Sequence, residues 1–447
     1  MKKAYQILAT GCLFFTLTIL TGQESLSLEQ AVANGLRNNY QIQAADETVA
    51  IAANNNTWGA AGRLPSVNLS LNGQNAFSHS ANPASFLREA NFLSGGITPG
   101  ADASITLFNG HRIRFVKEQL EQLENQSRQN VQVLAEQVVL SVAQAYYQVL
   151  IQQEQLQVLE NVLKLSRDRI AYQEARKEFG RALTFDLLQT QDAYLNDSTR
   201  YLVQVNNVDN AFRNLNLAMG EDDLSRQYAL TEPLETAIKT YNYEELQQRM
   251  ESNNRNLQNL LISRELAQTN TRIQESAKAP VVNLRSNLSY SYNNTLAGNG
   301  VLADGVSREF GGISNTNFNA GLSLGVTYNL YNGQVRERTI DNARRQEIIA
   351  QLNIEDQKRR LHSQLANTLA NYDNQKQLIE LTSGLISNAE QNLQIAEERL
   401  RGGLITSFDY RTIQLNYINA AQTQLNAYFN LKTAELDLLR ITGELVK

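Results

Sequence analysis

The sequence contains two copies of one pattern, and this internal repeat limits the folds that the chain can adopt. A proline, one further residue and Val-Asn-Leu occupy positions 65–69 and recur at 280–284, an offset of 215. A leucine, an aromatic residue, Asn and Gly occupy 107–110 and recur at 330–333, an offset of 223. A glycine followed six residues later by aspartate also recurs at the offset of 223. We therefore interpret the chain as two equivalent structural units in tandem.

Between the proline and the Asn-Gly of each copy, apolar and polar residues alternate. In the run 318–330 every even position is apolar or aromatic, and the odd positions hold only Asn, Gly, Ser and Thr. A period of two predicts β-strands with one apolar and one polar face. We predict one strand pair within 66–108 and a second within 281–331. A soluble sandwich sheet alternates in the same way, so the strands alone leave open what covers the apolar face.

The residues between the predicted strands of each pair are rich in Asn, Ser and Gly. These are residues 77–100 in the first copy and 293–316 in the second. Such residues favour turns and irregular backbone. We therefore expect both segments to be exposed loops.

The segments that follow each Asn-Gly have a different composition. Residues 111–219 contain only one glycine, Gly180, and residues 334–442 contain only three; neither segment contains proline. Apolar residues recur every 3.5 to 3.6 positions in the first of them, which predicts long coiled-coil helices. Glycine tolerates the left-handed conformation that ends a helix, so we expect hairpin reversals at Gly180 and at residues 402–403. A shorter helical segment starts each copy, at 28–62 and 243–278.

The N-terminus has the pattern of a secretory signal peptide. Lysines at positions 2 and 3 precede an apolar stretch up to residue 20, which is too short and too rich in threonine for a transmembrane anchor. We assign residues 1–22 to the signal peptide and expect Cys12 to be removed with it. The predicted organisation is then a first repeat at 23–220, a linker at 221–242 and a second repeat at 243–447.

Composition excludes several classes of function. The net charge of −5 becomes about −7 without the two signal-peptide lysines, which argues against nucleic acid as a partner. The mature chain would contain no cysteine, and its three histidines are far apart in the sequence, so we predict no catalytic site, no metal site and no cofactor. We conclude that the chain is not an enzyme.

The strands point to a membrane. No run of about 18 apolar residues follows the signal peptide, but a barrel strand needs only ~9–11 alternating residues. Four strands cannot close a barrel, and an open edge cannot remain unpaired in lipid. Several chains must therefore contribute strands to one barrel.

Taken together, the tandem repeat, the motifs at 107–110 and 330–333, and the Gly-to-Asp spacing in each hairpin resemble the TolC family of outer-membrane efflux channels. The resemblance covers essentially the whole mature chain. It implies a mixed α and β membrane protein: a homotrimer with a twelve-stranded barrel in the outer membrane and a periplasmic α-barrel of long helices. It also implies that the linker corresponds to the equatorial region of the family.

The resemblance further implies roles for particular residues. Gly180 and Gly403 would mark the hairpin tips at which a periplasmic adaptor docks, and Asp186 and Asp409 would line the channel mouth. Both aspartates also suit the first turn of a helix, where they complement its dipole. Where members of the family carry an arginine that helps to close the mouth, this chain has Ile405, and Arg401 or Arg411 could replace that arginine.

The function expected from this resemblance is a passive exit duct. It would serve a tripartite efflux or type I secretion system, with an adaptor and an inner-membrane pump as partners. The alternative is a periplasmic coiled-coil adaptor or scaffold protein that never enters the membrane. Adaptors are expected to carry a single hairpin rather than two equal copies, which favours the duct.

Overall fold

The computed structural model describes residues 24–235 and 238–446, so the predicted signal peptide and Cys12 lie outside the described residues. The strands are β1 (Ser25–Leu26), β2 (Ser66–Ala81), β3 (Leu87–Phe108), β4 (Ala229–Leu230), β5 (Val281–Leu302), β6 (Ser307–Glu309) and β7 (Gly312–Thr327). The helices are α1 (Leu28–Asn38), α2 (Tyr40–Asn55), α3 (Arg112–Glu178), α4 (Thr184–Met219), α5 (Tyr243–Asn253), α6 (Arg255–Glu275), α7 (Val335–Arg401) and α8 (Ser407–Ile441), with a short 3₁₀ turn at Ser276–Lys278.

The chain forms two compact units. One contains the described residues of Met1–Tyr40, Ala135–Leu246 and Leu365–Lys447, and the other contains Gln41–Leu134 and Gln247–Gln364. All four long strands belong to the second unit, and both hairpin turns belong to the first. The predicted mixture of strand pairs and long helices in two repeats is confirmed.

The strand pairs of both repeats join in one antiparallel sheet of order β2-β3-β5-β7, with β6 beside the end of β5. Leu69 lies opposite Ala101, Ala101 opposite Leu288, and Leu288 opposite Ala320. Apolar residues of one parity are therefore aligned in rows on one face of the sheet. Among the described residues, β2 and β7 are the outer strands, and each pairs with one long neighbour.

The prediction of long loops within each strand pair was wrong. Strand β2 continues to Ala81 and β3 starts at Leu87, so five residues connect them; in the second copy β5 continues to Leu302. Gly95, for example, lies opposite both Asn75 and Asn294. The Asn, Ser and Gly residues favour loops locally, but pairing with neighbouring strands satisfies their backbone and overrides that preference.

The short helical segment of each copy is divided in two, which its composition did not indicate. The breaks fall at Asn39 and Asn254, the second members of Asn-Asn pairs that recur at the offset of 215. The side-chain oxygen of Asn254 accepts a hydrogen bond of 3.0 Å from the N–H of Leu257 and so caps α6. The recurring asparagines thus mark helix boundaries.

The Asn-Gly motifs build the same strand-to-helix turn twice. Gly110 and His111 both have φ of 66°, and Gly333 and Gln334 have φ of 68° and 63°. His111 and Gln334 are the only non-glycine residues with positive φ in the described part of the chain. The left-handed residues of each turn are therefore the glycine and the residue that follows it, and the asparagine is not one of them.

The long helices pack through apolar clusters in the first unit. Leu159 and Val162 of α3 contact Ile418 of α8, while Leu400 of α7 contacts Tyr410 of α8. Helix α8 therefore lies between α3 and α7. Within the described chain, none of the helices carries a stretch apolar enough to cross a bilayer.

Two buried tyrosines hold the linker against these helices. The hydroxyl of Tyr146 donates to the Leu26 carbonyl at 2.9 Å and accepts from the N–H of Thr231 at 3.1 Å. The hydroxyl of Tyr372 donates to the Lys239 carbonyl at 2.9 Å and accepts from the N–H of the same residue at 3.2 Å. Strand β4 of the linker also pairs with β1. The linker is thus tied to the first unit at several points.

Candidate functional site

The first helical hairpin turns at Gly180. Its φ is 64°, and its N–H donates to the Lys177 carbonyl at 2.9 Å. The next N–H, of Arg181, donates to the Arg176 carbonyl at 2.8 Å. This pair of hydrogen bonds ends a helix through a left-handed residue, a conformation that glycine adopts at little cost.

The second hairpin turns at Gly403 in the same way. Its φ is 72°, its N–H donates to the Leu400 carbonyl at 3.0 Å, and the N–H of Leu404 donates to the Arg399 carbonyl at 2.8 Å. A Cβ atom placed at Gly180 or at Gly403 would meet no other atom within 4 Å. The glycines are therefore required by the backbone conformation, and both turns are open to a partner.

Large apolar side chains surround both turns and are exposed to solvent. Phe179 is 79% exposed beside the first turn, and Leu404 is 77% exposed beside the second. The other members of this set are Leu183, Phe185 and Phe408. The repeat pattern includes Phe185 and Phe408 but assigns no role to any of these residues, although their position next to the tip glycines was a visible signal. Exposed apolar side chains at one site are typical of a surface that binds another protein.

Asp186 and Asp409 lie in the first turns of α4 and α8. The carboxylate of Asp186 accepts from the N–H of Leu183 at 3.2 Å. Asp409 accepts from the hydroxyl of Thr406 at 2.7 Å and from its N–H at 3.0 Å, and these hydrogen bonds hold the pKa of Asp409 below its ordinary value. Both aspartates therefore stabilise a helix start, as expected for acidic residues in the first turn of a helix.

Ile405 follows the second turn and is half-buried. It packs against the cluster of Leu393, Ala396, Leu400 and Tyr410. An isoleucine contributes to this position only through apolar contact, so any charged link between helices near the turns must come from another residue.

The structure distinguishes the two arginines proposed to replace that link. Arg401 pairs with Glu397 on its own helix, and the Arg401 side chain is largely exposed. Arg411 of α8 instead pairs with Asp197 of α4, whose side chain is 1% exposed. Of these two arginines, Arg411 is the one that connects the hairpins of the two repeats.

Asp197 belongs to a buried polar cluster that the sequence patterns did not reveal. Its carboxylate also accepts from the hydroxyl of Ser166 at 2.6 Å, and Gln414 donates to Ser166 at 3.3 Å and accepts from Arg411 at 2.8 Å. The available signal was the spacing of Thr190, Asp197 and Gln204, polar residues seven apart on the buried face of α4. Polar residues at core positions of a coiled coil commonly specify pairing.

A second polar contact joins α3 to the start of α8. Gln173 donates to the hydroxyl of Ser407 at 2.8 Å, and the guanidinium of Arg169 lies 4.5 Å from the centre of the Tyr410 ring. Burial lowers the pKa of Arg169 and raises that of Tyr410. The helices near the turns are thus joined by polar as well as apolar contacts.

No constellation suited to catalysis or to metal binding accompanies these residues. Within the described ranges, no group of three or more His, Cys, Asp or Glu side chains is placed to share a metal ion. Asp186 and Asp409 occupy equivalent positions in the two repeats, which does not suit a differentiated acid and base.

The fold is similar to solved structures of bacterial outer-membrane proteins. The Campylobacter jejuni CmeC outer membrane channel matches with a TM-score of 0.76 at 15% sequence identity, over 94% of this chain and 86% of that chain. The outer membrane protein VceC from Vibrio cholerae matches with a TM-score of 0.73 at 16% identity, over 93% and 96%. The Neisseria gonorrhoeae MtrE outer membrane channel, solved in an open state, matches with a TM-score of 0.70 at 15% identity, over 93% and 88%.

Sequence comparison identifies the family. The chain has no significant match among curated protein sequences. The profile of the family described as outer membrane efflux protein, however, matches residues 31–221 and 246–444, most of both repeats. The family consists of channels, so the prediction that the chain is not an enzyme is confirmed. The chain belongs to the outer membrane efflux protein family and is an outer-membrane efflux channel that extends into the periplasm.

Proposed function

We propose that three copies of this chain form the passive exit duct of a tripartite efflux or type I secretion system. In this proposal the duct receives cargo from an inner-membrane pump through a periplasmic adaptor. The open edges of the strand sheet are the observation that carries the proposal. The family assignment favours the duct over the alternative of a periplasmic adaptor or scaffold.

The two outer strands of the sheet each have an unpaired edge. Strands β2 and β7 are both 16 residues long, and within the described chain each pairs with one long strand. Every backbone group in a bilayer must be paired, so these edges require strands from other copies. Joining β7 of one copy to β2 of the next extends the sheet, and three copies supply the twelve strands that the resemblance implies.

The apolar face of the sheet has the height of a membrane. Its rows run from Val282, which lies opposite Val326, to Tyr292, which lies opposite Ile97. These eleven residues span ~34 Å along the strand, or about 26 Å at a tilt of ~40°, close to the ~25 Å apolar band of outer-membrane barrels. The next row contains Asn75, Gly95 and Asn294, which interrupt the apolar face before a further row of Phe77, Leu93 and Leu296.

The long helices also have free apolar edges. Leu188, Leu195 and Leu202 lie seven residues apart on α4, and all three are more than half exposed. On α7, Leu381 and Leu385 are likewise exposed. Because α3 and α8 lie at the centre of the helical packing, we infer that the stripe on α4 of one copy packs against the stripe on α7 of the next.

The hairpin turns are the proposed docking site for the adaptor. Gly180 and Gly403 present open backbone, and the apolar side chains around them, Phe179 and Leu404 above all, are exposed. Asp186 and Asp409, next to these turns, would form a ring of six carboxylates in a trimer. We propose that this ring lines the channel mouth and that the Arg411–Asp197 pair helps to keep the mouth closed.

Cross-linking in native membranes tests the assembly. Leu195→Cys and Leu381→Cys are combined in one chain, which would otherwise contain no cysteine after signal removal. A bis-maleimide should then yield covalent trimers in the outer-membrane fraction. Each single-cysteine variant serves as the matched control and should stay monomeric on a denaturing gel. Monomers alone from the double variant, or recovery of the protein in the soluble periplasmic fraction, would contradict the proposal.

A further inference from the structure

Positive charge is concentrated at the end of the sheet where strands join helices. Residues 57–65, 109–117, 276–280 and 332–338 make these connections and contain seven Arg or Lys residues and one acidic residue, Glu337. At the opposite end, residues 82–89 and 302–311 contain two arginines and three acidic residues. The whole chain has a net charge of −5, so composition does not explain the difference. We call the five exposed cations of this end the basic collar: Arg63, Arg112, Arg114, Lys278 and Arg338.

The collar is present in both repeats. Arg63 and Lys278 occupy equivalent positions, each two residues before the proline that precedes strand β2 or β5. A pair of arginines also follows each Asn-Gly turn, Arg112 and Arg114 in the first copy and Arg336 and Arg338 in the second. Positive charge therefore accompanies the strand-to-helix junction itself.

Contacts within the chain do not account for the collar. Lys117 and Arg336, which lie beside it, pair with Glu121 and Glu337. Among the ion pairs of the described residues, none involves Arg112, Arg114, Lys278 or Arg338, although Glu337 lies near enough to Lys278 to interact with its charge. Arg112 and Arg114 also lie in the first turn of α3, which has no acidic residue, and the helix dipole disfavours cations there. Such an arrangement suits an external anion.

The collar is interleaved with exposed aromatic and apolar side chains. Trp58, the single tryptophan of the chain, is 41% exposed, and the Arg63 guanidinium lies 4.7 Å from the centre of its ring. Leu64, Leu107 and Tyr331 are more than half exposed nearby. Tryptophan and tyrosine beside cations are typical of a membrane–water interface, whereas a water-filled lumen would leave these apolar surfaces hydrated.

We propose that the basic collar binds the headgroups of anionic phospholipids in the periplasmic leaflet of the outer membrane. The inference rests on the proposed placement of the sheet in that membrane. A phosphodiester accepts hydrogen bonds from guanidinium and ammonium groups. An anionic headgroup, which carries no cation of its own, also balances the positive charge of the collar. Each cation near an anionic surface contributes about a fivefold enrichment, and the collar supplies five cations per copy. Bound anionic lipid would hold the sheet at a fixed depth in the bilayer.

Trp58 provides an internal probe for this test. The full-length protein is reconstituted in bilayers of phosphatidylcholine and phosphatidylglycerol in equal amounts, with brominated acyl chains on one lipid or on the other. The bulk composition is the same in both samples, so a difference in Trp58 quenching reports the lipid next to the collar. We expect quenching to be at least about twofold stronger when phosphatidylglycerol carries the bromine. High salt should weaken this preference.

Two sets of variants define the controls. Arg112→Gln, Arg114→Gln and Lys278→Gln together should abolish the preference, while Arg88→Gln with Arg308→Gln, at the opposite end of the sheet, should retain it. Equal quenching by either brominated lipid in the parent protein would overturn the inference. Absence of quenching in protein that floats with the bilayers would also overturn it, because Trp58 would then not face lipid. Failure to float with either bilayer would instead contradict the proposed membrane function itself.

Discussion

The guanidinium of Arg411 in α8 donates two hydrogen bonds of 2.7 Å to the carboxylate of Asp197 in α4. Asp197 is 1% exposed and Arg411 is 17% exposed, so the pair is largely removed from water. The two residues are 214 positions apart and belong to different repeats. The pair therefore joins the two hairpins close to their turns, and its loss should affect both stability and the channel mouth.

We predict that Arg411→Ala lowers the free energy of unfolding by about 3 kcal/mol, because it leaves the Asp197 carboxylate buried without its cation. It should also raise single-channel conductance, because the hairpins are released from each other. Thermal unfolding followed by circular dichroism and planar-bilayer recording measure the two effects. Arg401→Ala is the matched control, since Arg401 forms only an exposed pair on its own helix, worth less than ~1 kcal/mol. Equal effects of the two substitutions would contradict the assignment.

A pH dependence is expected from Glu435. Burial acts to raise its pKa, but hydrogen bonds from Lys432 at 2.9 Å and from Lys239 at 3.0 Å, with their charges, outweigh burial and leave the pKa below its ordinary value. A lowered folded-state pKa stabilises the protein above the unfolded pKa of about 4.3, and this stabilisation is lost as the pH falls through the folded pKa.

Glu435→Gln isolates this contribution. The variant should unfold at a lower temperature than the parent at about pH 7, and the difference between the two should narrow as the pH falls below about 4 and through the lowered pKa of Glu435, because the parent glutamate then takes up a proton. Thermal unfolding at a series of pH values provides the measurement. A difference that stays constant down to about pH 3 would show that Glu435 is not the group responsible.

The proposed carboxylate ring should make the mouth selective for cations. Asp186→Ala combined with Asp409→Ala should reduce the preference for cations over anions and weaken block by multivalent cations, most clearly at low salt, where screening is weakest. Single-channel recording in a planar bilayer compares the parent and the double variant.

The helix-start role of these aspartates needs a separate control. Thr406→Val removes the hydroxyl that bonds to Asp409 but keeps the carboxylate. It should destabilise the start of α8 by about 1 kcal/mol and leave ion selectivity unchanged. Unchanged selectivity and block in the double alanine variant would remove Asp186 and Asp409 from the pore and leave them only their helix-start role.

Docking at the hairpin turns predicts a loss of export without a loss of assembly. Gly180→Trp or Gly403→Trp should abolish export of the cognate substrate while trimers still form, because the added side chain meets open space in the chain itself. The positive φ at both positions introduces a strain of about 1–2 kcal/mol for most residues.

An asparagine substitution distinguishes the effect of backbone strain from a loss of docking, because asparagine tolerates the left-handed conformation. Gly180→Asn should therefore keep more export activity than Gly180→Trp. Export assays in cells, together with trimer detection on gels, make the comparison. Normal export by both tryptophan variants would count against a docking role for the turns.

Local patterns in the sequence were sufficient to predict the repeat, the two kinds of secondary structure and the positions of the hairpin turns. A period of two or of 3.6 residues is a property of the chain itself, because it determines which side chains share a face. The turn at Gly180 likewise depends on the φ of one residue, and the Asn-Gly turn at residues 109–110 on a few neighbouring dihedral angles. Such features need no knowledge of distant partners.

Only the tertiary structure decided which distant residues meet. The Asn- and Ser-rich segments became strands because β3 pairs with both β2 and β5, and Gly95 has neighbours both 20 residues before it and 199 residues after it. That Arg411 rather than Arg401 connects the two hairpins depended in the same way on its contact with Asp197 on another helix. Local composition cannot specify such pairs, because the free energy that selects them comes from burial and hydrogen bonds formed only when remote segments come together.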